Sequence, residues 1–553
     1  MFFRQKRSSG HVYLQIVENR WENGHSKQRV IATVGRLDQL QQSGQLDGLL
    51  QSGAKFAEAV MVLSAHRRGD VPAIRNSRIG PALIFGRLWN ELQIPQVIER
   101  LLAGRRFEIP LERLLFLTVL HRLFVSGSDR SCMLNWKERY AIPGTEAVEL
   151  HQVYRAMAWL GERLPDDQQA GATPFASRCT KDAFEESLFD RRRDLFSHLD
   201  LVFFDTTSIY FEGEGGAELG QYGHSKDHRP DCKQMVVGAI LDGEGRPLCC
   251  ELWPGNVTDV KTLIPVVDRL QQRFRIRSIC IVADRGMISQ ETIAQLQGAE
   301  RKVHFILGAR LRNVKEIYEA VLSRGGRYRE VRGPREKSSD PSPLKVKEVR
   351  VGERRYVVCL NEEQARKDRA DRAAIVEALR EQLKQGDKAL VGNKGYRKYL
   401  HSAGPKFTID EEKVKWEERF DGKWVLQTDL EMTAEETALQ YKQLWMVEEM
   451  FRAAKTLLET RPIFHKCDET IRGHVFCSFL ALLLRKELQD RLEAQGEKLE
   501  WAELLRDLAA LQYTEVESQG KRFRLRSDLA ATTAAVFRAV GVAIPPSVQK
   551  IEE

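Results

Sequence analysis

Leu201-Val-Phe-Phe-Asp205-Thr-Thr-Ser208 begins with four consecutive apolar residues and ends on a carboxylate followed by three hydroxyls. Three of those four are β-branched or aromatic, and the run predicts a short strand buried on both faces. An aspartate at the end of such a strand lies between apolar walls that strengthen local charge, so it costs stability unless a cation meets it. Taken alone, the string is explained equally well by a strand closed with an Asx or ST turn. The pattern recurs, however, at Ile279-Cys-Ile-Val-Ala283-Asp284-Arg-Gly286, where Gly286 allows a sharp exit. Two buried strands lying side by side, each delivering an Asp at its end, can build a divalent-metal site.

The surrounding chain sets the bounds. At 553 residues it is too long for one core, and roughly three to five domains are expected. It is 42% hydrophobic and 30% charged, with no apolar run near membrane-spanning length and no apolar core after the basic N-terminus. Nine scattered cysteines without a CxxC pair support neither a disulfide framework nor a zinc finger, and fit a reducing cytoplasm. The net charge of +8 is concentrated: residues 301–350 hold 14 Lys/Arg against 6 Asp/Glu. Such a segment suits a polyanionic partner, and a solvated basic loop is the plain alternative.

In chain order, residues 11–38 carry two β-patterned runs around Asn23-Gly24, predicting a small basic hairpin. Gln41 to Gly53 reads as a linker. From 55 to 195 the apolar spacing is helical. The stretch from Leu201 then predicts β-β-β-α-β-α-β, with Asp at the ends of the first and fourth strands. Residues 311–432 leave that alternation and read as a mostly β insertion. Thr433 is a plausible N-cap for a long helix, and a second, apolar helix follows.

In the helix after Thr433, Tyr441, Leu444, Glu448 and Lys455 fall at offsets 0, 3, 7 and 14. At about 100° per residue these share one face. At this point the sequence resembles the DDE-type transposases of bacterial insertion sequences, the group marked by a Tyr-x2-Arg-x3-Glu-x6-Lys signature. The matching residues are DTTS at 205–208, ADRGM at 283–287 and YKQLWMVEEMFRAAK at 441–455. Supporting segments are GHSKDHRPD at 223–231, PGNVTD at 254–259 and RPIFHKCDETIRGHV at 461–475. Leu444 stands where the signature has its arginine, so that residue's phosphate-holding role is not carried over.

The resemblance implies an α/β fold: an RNase H-like core, with a mixed five-stranded sheet and helices, interrupted by the β insertion. An N-terminal β-hairpin, a helical domain and C-terminal helices complete it. The divisions implied are a hairpin region and linker (1–54), a helical DNA-binding or accessory domain (55–199), the first part of the core (200–310), the insertion (311–432), the second part of the core (433–485) and a helical end (486–553). Asp205, Asp284 and Glu448 are the implied catalytic carboxylates, binding two Mg²⁺ ions, with Mn²⁺ able to substitute. Carboxylates are hard oxygen ligands suited to such ions. Tyr441 and Lys455 are expected near DNA phosphates, and Arg285 and Arg310 are further candidates, for which structural ion pairs are equally open. His224, Asp227, His228 and Asp231 match no zinc template and read as a polar loop near the site; Asp259 reads as a helix cap. Trp416 and Trp424 are candidates for stacking a base turned out of the duplex. The alternating FDGKWVLQT buries Trp424 by its strand, which favours Trp416.

The function implied is cleavage at the ends of an insertion sequence and transfer of the 3′-OH ends into target DNA. The expected partners are double-stranded DNA, as terminal inverted repeats and target, and a second copy of the chain in a cytoplasmic, nucleoid-associated complex. An RNase H-like nuclease without strand transfer and a catalytically silent DNA-binding descendant are the rivals. The second should have lost a carboxylate or the lysine, and all four are present. No GxxxxGK[ST] occurs, which disfavours a P-loop enzyme.

Overall fold

The computed structural model describes residues 1–22, 25–125, 127–172, 176–192, 201–274, 279–287, 289–298, 303–335, 337, 340–384, 397–403 and 406–551. The Asn23-Gly24 turn and, within the stretch read as an insertion, Ser338-Ser339 lie outside the described residues. The chain divides into two compact units.

One unit joins Met1–Pro81, Arg139–Ala141 and Leu499–Glu553. Its N-terminal part is a three-stranded antiparallel sheet of Phe2–Ser8, His11–Glu22 and His25–Arg36. The stretch read as a linker instead runs into a helix, Gln45–Arg67, because its Leu and Ala residues outweigh two glycines. A second sheet pairs Ala73–Arg78 with Gln512–Ser518, and the latter with Lys521–Arg526. Both strands alternate around Gln519-Gly520, which take positive φ of 54° and 72° as a tight hairpin requires. The region after 486, read as helical, thus mixes helices with strands.

The other unit, Ala82–Glu138 and Ile142–Lys498, is organised on one mixed sheet. Its strands are β1 (Leu201–Tyr210), β2 (Gln234–Asp242), β3 (Pro247–Pro254), β4 (Ile279–Ala283), β5 (Val303–Gly308), β6 (Arg329–Arg332), β7 (Leu344–Val351), β8 (Arg354–Leu360) and β9 (Lys423–Thr428). They lie in the order β6-β7-β8-β9-β5-β4-β1-β2-β3. β1 and β4 are parallel, as are β4 and β5; the other pairs are antiparallel. Four strands from the stretch read as an insertion therefore continue the same sheet, while Leu400–Ala403 and Lys406–Ile409 pair apart from it.

Both faces of β1 are covered, as its apolar run predicts. Val202 and Phe204 pack with Ile281 of β4 and with α2 (Leu263–Phe274), which follows α1 (Thr180–Arg192) along the chain. Phe203 packs with Val282 on the opposite face, beneath α3 (Ala434–Lys442) and α4 (Trp445–Arg452). α3 opens on the expected cap: Thr433 Oγ1 accepts from Glu436 N–H, and the Glu436 carboxylate accepts back from Thr433 N–H. The single long helix expected here is divided. The ladder tightens to i→i+3 bonds at Leu444 and Met446, α4 follows, and Ala453–Leu457 form a π turn. No proline or glycine marks either change. The helical region before residue 192 docks on α5 (Asp468–Ala494) through two glycines: a Cβ on Gly161 or Gly473 would stand 2.0 Å from a backbone carbonyl of the facing helix.

Candidate active site

The parallel register of β1 and β4 pairs Phe204 with Ala283, so Asp205 and Asp284 are neighbours one residue further on. Asp205 Oδ1 accepts from Thr206 N–H at 2.7 Å. Burial pushes the Asp205 carboxyl up to about 6, with Lys226 opposing that shift and Asp284 and Asp259 adding to it. Asp284 accepts from the Tyr441 hydroxyl at 2.9 Å, and burial followed by this carboxylate raises the phenol well above its ordinary value. Gly308 at the end of β5 makes room for that contact, since a Cβ there would stand 2.4 Å from the Tyr441 oxygen.

Glu448, exposed on α4, lines a cleft of about 330 Å³ together with Asp284. Arg285, Lys423, Trp424, Tyr441, Lys442 and Trp445 complete its polar and aromatic lining. Among the described residues, only Asp129, His465 and His474 bring three possible ligand atoms within 4.8 Å of one another. Asp284 and Glu448 thus line one cleft with Asp205 beside Asp284, and the three do not close on one point. The histidine cluster already holds a cation: Arg122 Nη2 lies 3.0 Å from His474 Nδ1 and 3.6 Å from Asp129. His474 Nε2 lies 3.1 Å from the Thr460 carbonyl, so the cluster is a polar network tying Arg122 and Asp129 to α5.

The remaining residues singled out from the sequence take varied places. Lys455 donates to Asp227 at 2.8 Å, and burial holds it below the ordinary lysine range while Asp227 opposes the shift. Arg310 donates to the carbonyls of Arg285 at 3.0 Å and Gly286 at 3.0 Å, bracing the turn that carries Asp284. The Arg285 side chain is exposed beside the cleft. Leu444 is buried in the core beneath α4. Trp416 packs edge-on to Tyr318 and Phe420, with the Lys413 ammonium 3.8 Å from its ring centre, whereas Trp424 lines the cleft.

Asp259 does not cap a helix with its side chain. It accepts from Thr206 Oγ1 at 2.7 Å and pairs with Lys226 at 3.1 Å, as a further carboxylate beside Asp205. Lys226 also donates to the Thr206 carbonyl at 2.8 Å. The reading of the sequence did not single out Lys226 or Trp445. Lys226 lies within the quoted 223–231 segment and Trp445 directly follows Leu444, but nothing in their spacing marks them.

Comparison with family models matches residues 197–484 to the transposase DDE domain and residues 3–65 to the N-terminal domain of the IS1634 family transposases. The first match spans more than half of the chain. The chain belongs to the DDE transposases. No curated protein matches its sequence. Among solved structures, the piggyBac transposase in a synaptic complex with hairpin DNA matches at 11% identity and a TM-score of 0.34, over 78% of each chain. The transposase is therefore an enzyme that acts on DNA with divalent metal. No helix among its described residues is long and apolar enough to cross a membrane.

Proposed function

We propose that the transposase cuts DNA at the terminal inverted repeats of its own element and joins the freed 3′-OH ends to target DNA, as a homodimer. Asp205, Asp284 and Glu448 are the catalytic carboxylates of this reading. It is carried by the side-by-side emergence of Asp205 and Asp284 from parallel neighbours, beside a cleft whose other wall bears Glu448. The spatial order of the first five strands, β3-β2-β1-β4-β5 with only β1, β4 and β5 mutually parallel, supports an RNase H-like core.

The donors fit hard divalent ions. Asp205, Asp284 and Asp259 crowd together beside the Lys226 ammonium, and Asp205 is pushed up by burial first and by the neighbouring carboxylates after it. Two Mg²⁺ ions, or Mn²⁺ in their place, would supply activation of the attacking oxygen and stabilisation of the leaving one. The chain does the rest. Asp205 and Asp284 hold their ends of the site, and α4 brings Glu448 from across the cleft. Tyr441 orients Asp284 through its hydroxyl, and Arg310 fixes the turn behind it. Water attacks the end phosphodiester first; the 3′-hydroxyl so released then attacks a target phosphodiester, expelling a target 3′-oxygen.

Asp205→Asn, Asp284→Asn and Glu448→Gln should each abolish Mg²⁺-dependent cleavage of element ends while leaving duplex binding in place. Normal cleavage by any of the three would remove that residue from the catalytic set.

A further inference from the structure

Thr206, the residue after Asp205, is the joint of a closed ring of hydrogen bonds. Its main-chain N–H donates to Asp205 Oδ1 at 2.7 Å, and its hydroxyl donates to Asp259 Oδ1 at 2.7 Å. The Lys226 ammonium completes the ring. It donates to the Thr206 carbonyl at 2.8 Å and to Thr206 Oγ1 at 3.0 Å, and it pairs with Asp259 Oδ2 at 3.1 Å. Three ammonium hydrogens thus meet three acceptors, and both oxygens of Asp259 are taken. A lysine saturated in this way has no donor left for a phosphate. Thr206 is 2% exposed, whereas the Lys226 and Asp259 side chains are 31% and 28% exposed. Packing therefore encloses the threonine, and hydrogen bonds fix the other two.

The ring gathers three segments that are remote in sequence. Thr206 lies in β1. Lys226 belongs to the 223–231 segment, which is anchored on the same strand where the Lys226 main-chain N–H donates to Ser208 Oγ at 2.7 Å. Asp259 opens the short helical turn Asp259–Lys261 beyond β3. That turn packs on Arg285–Met287, directly after Asp284, and a Cβ on Gly286 would stand 3.8 Å from Asp259 Oδ2. The end of β1 is thereby tied to the end of β4.

We propose that Thr206, Lys226 and Asp259 are positioning residues for the Asp205 carboxylate, which rests on the reading of Asp205 as a metal ligand. The ring immobilises the Thr206 peptide, whose N–H engages Asp205 through Oδ1 and leaves the other carboxylate oxygen for a divalent ion. Ligating carboxylates are held by partners of this kind, and losing one costs about 10- to 100-fold in metal affinity or activity.

The test is Mn²⁺ binding by the full chain, read from loss of the free ion's electron paramagnetic resonance signal, with melting temperature as the check on folding. Thr206→Val removes the hydroxyl at nearly equal volume and unchanged charge. It should weaken Mn²⁺ binding about tenfold, and Thr206→Ser should restore it. Lys226→Gln separates positioning from charge. Losing a nearby positive charge would by itself tighten the binding of a cation, whereas losing the ring should weaken it. A folded Thr206→Val protein with unchanged Mn²⁺ affinity overturns the proposal, and so does unchanged or tighter binding by Lys226→Gln. Should Thr206→Val fail to fold, Lys226→Gln decides alone by the same criterion. Asp205→Asn is the control for the reading beneath. If it leaves Mn²⁺ binding intact, or if the unsubstituted chain binds none, Asp205 is no ligand and both readings fall. If it weakens binding while the ring variants do not, the positioning role alone is lost.

Discussion

At Asp205, folding favours the protonated carboxyl, because burial and the nearby Asp284 and Asp259 push it up to about 6. A carboxyl held above its unfolded value contributes stability that is fully present below about pH 4 and is lost as pH rises through about 6. The displacement corresponds to about 3 kcal/mol. Without metal, Asp205→Asn should therefore be more stable than the unsubstituted chain at pH 7, with the difference vanishing near pH 4. Denaturant melts at the two pH values measure it, and equal stability at both would deny that burial raises this carboxyl. Gly308 sets a second residue-scale requirement. Gly308→Ala would displace the Tyr441 hydroxyl from Asp284, and loss of a hydrogen bond to a charged group, about 1.5–3 kcal/mol, should slow single-turnover cleavage about 10- to 100-fold. Tyr441→Phe should match it. Trp445 is 59% exposed at the cleft, an arrangement suited to stacking rather than to core packing. Trp445→Ala should weaken binding of a duplex with an unpaired terminal base by about 1–3 kcal/mol at unchanged melting temperature. Trp416→Ala should instead lower the melting temperature, because that ring packs against Tyr318 and Phe420.

At the scale of elements, the strands carrying the two aspartates were legible because a run buried on both faces leaves an uninterrupted apolar string. Thr433 was legible as a cap because Glu436 follows it at capping-box spacing. The division of the helix after Lys442 was not, since only tertiary packing of Leu444 and the reach of Tyr441 to Asp284 accompany it. Lys226 escaped notice and Asp259 was read as a helix cap because their partners are remote in sequence. The basic segment divides in two. Arg324, Lys345 and Arg350 are engaged with the Arg350 carbonyl, Glu362 and Glu348. Arg332 and Arg335, the latter also 3.6 Å from Glu363, lie close enough to the cleft residue Lys442 to help depress it below the ordinary lysine range, where burial is the first cause. Cations crowded in this way suit an anion. Neutralising Arg332, Arg335 and Lys442 should flatten the salt dependence of duplex binding by about one unit per lost contact. Neutralising Arg350 should leave the slope unchanged.

Across the molecule, the alternation of strand and helix from Leu201 onward could be read directly. The pairing of the chain's two ends in one sheet could not, because antiparallel partners more than 400 residues apart leave no local periodic trace. Nor could the place of β9. That strand returns at the end of the 311–432 detour and is inserted between β8 and β5, two strands from the β4 end that presents Asp284. The detour is therefore no pendant module on a hinge. It is stitched to the catalytic strands by rows of backbone hydrogen bonds, so a load applied to its outer strands is carried stiffly to the aspartates. The same stitching bars its exchange as a cassette between relatives: cut away, it would leave β5 with an open row of amides and carbonyls, the raw edge on which sheets of different chains join.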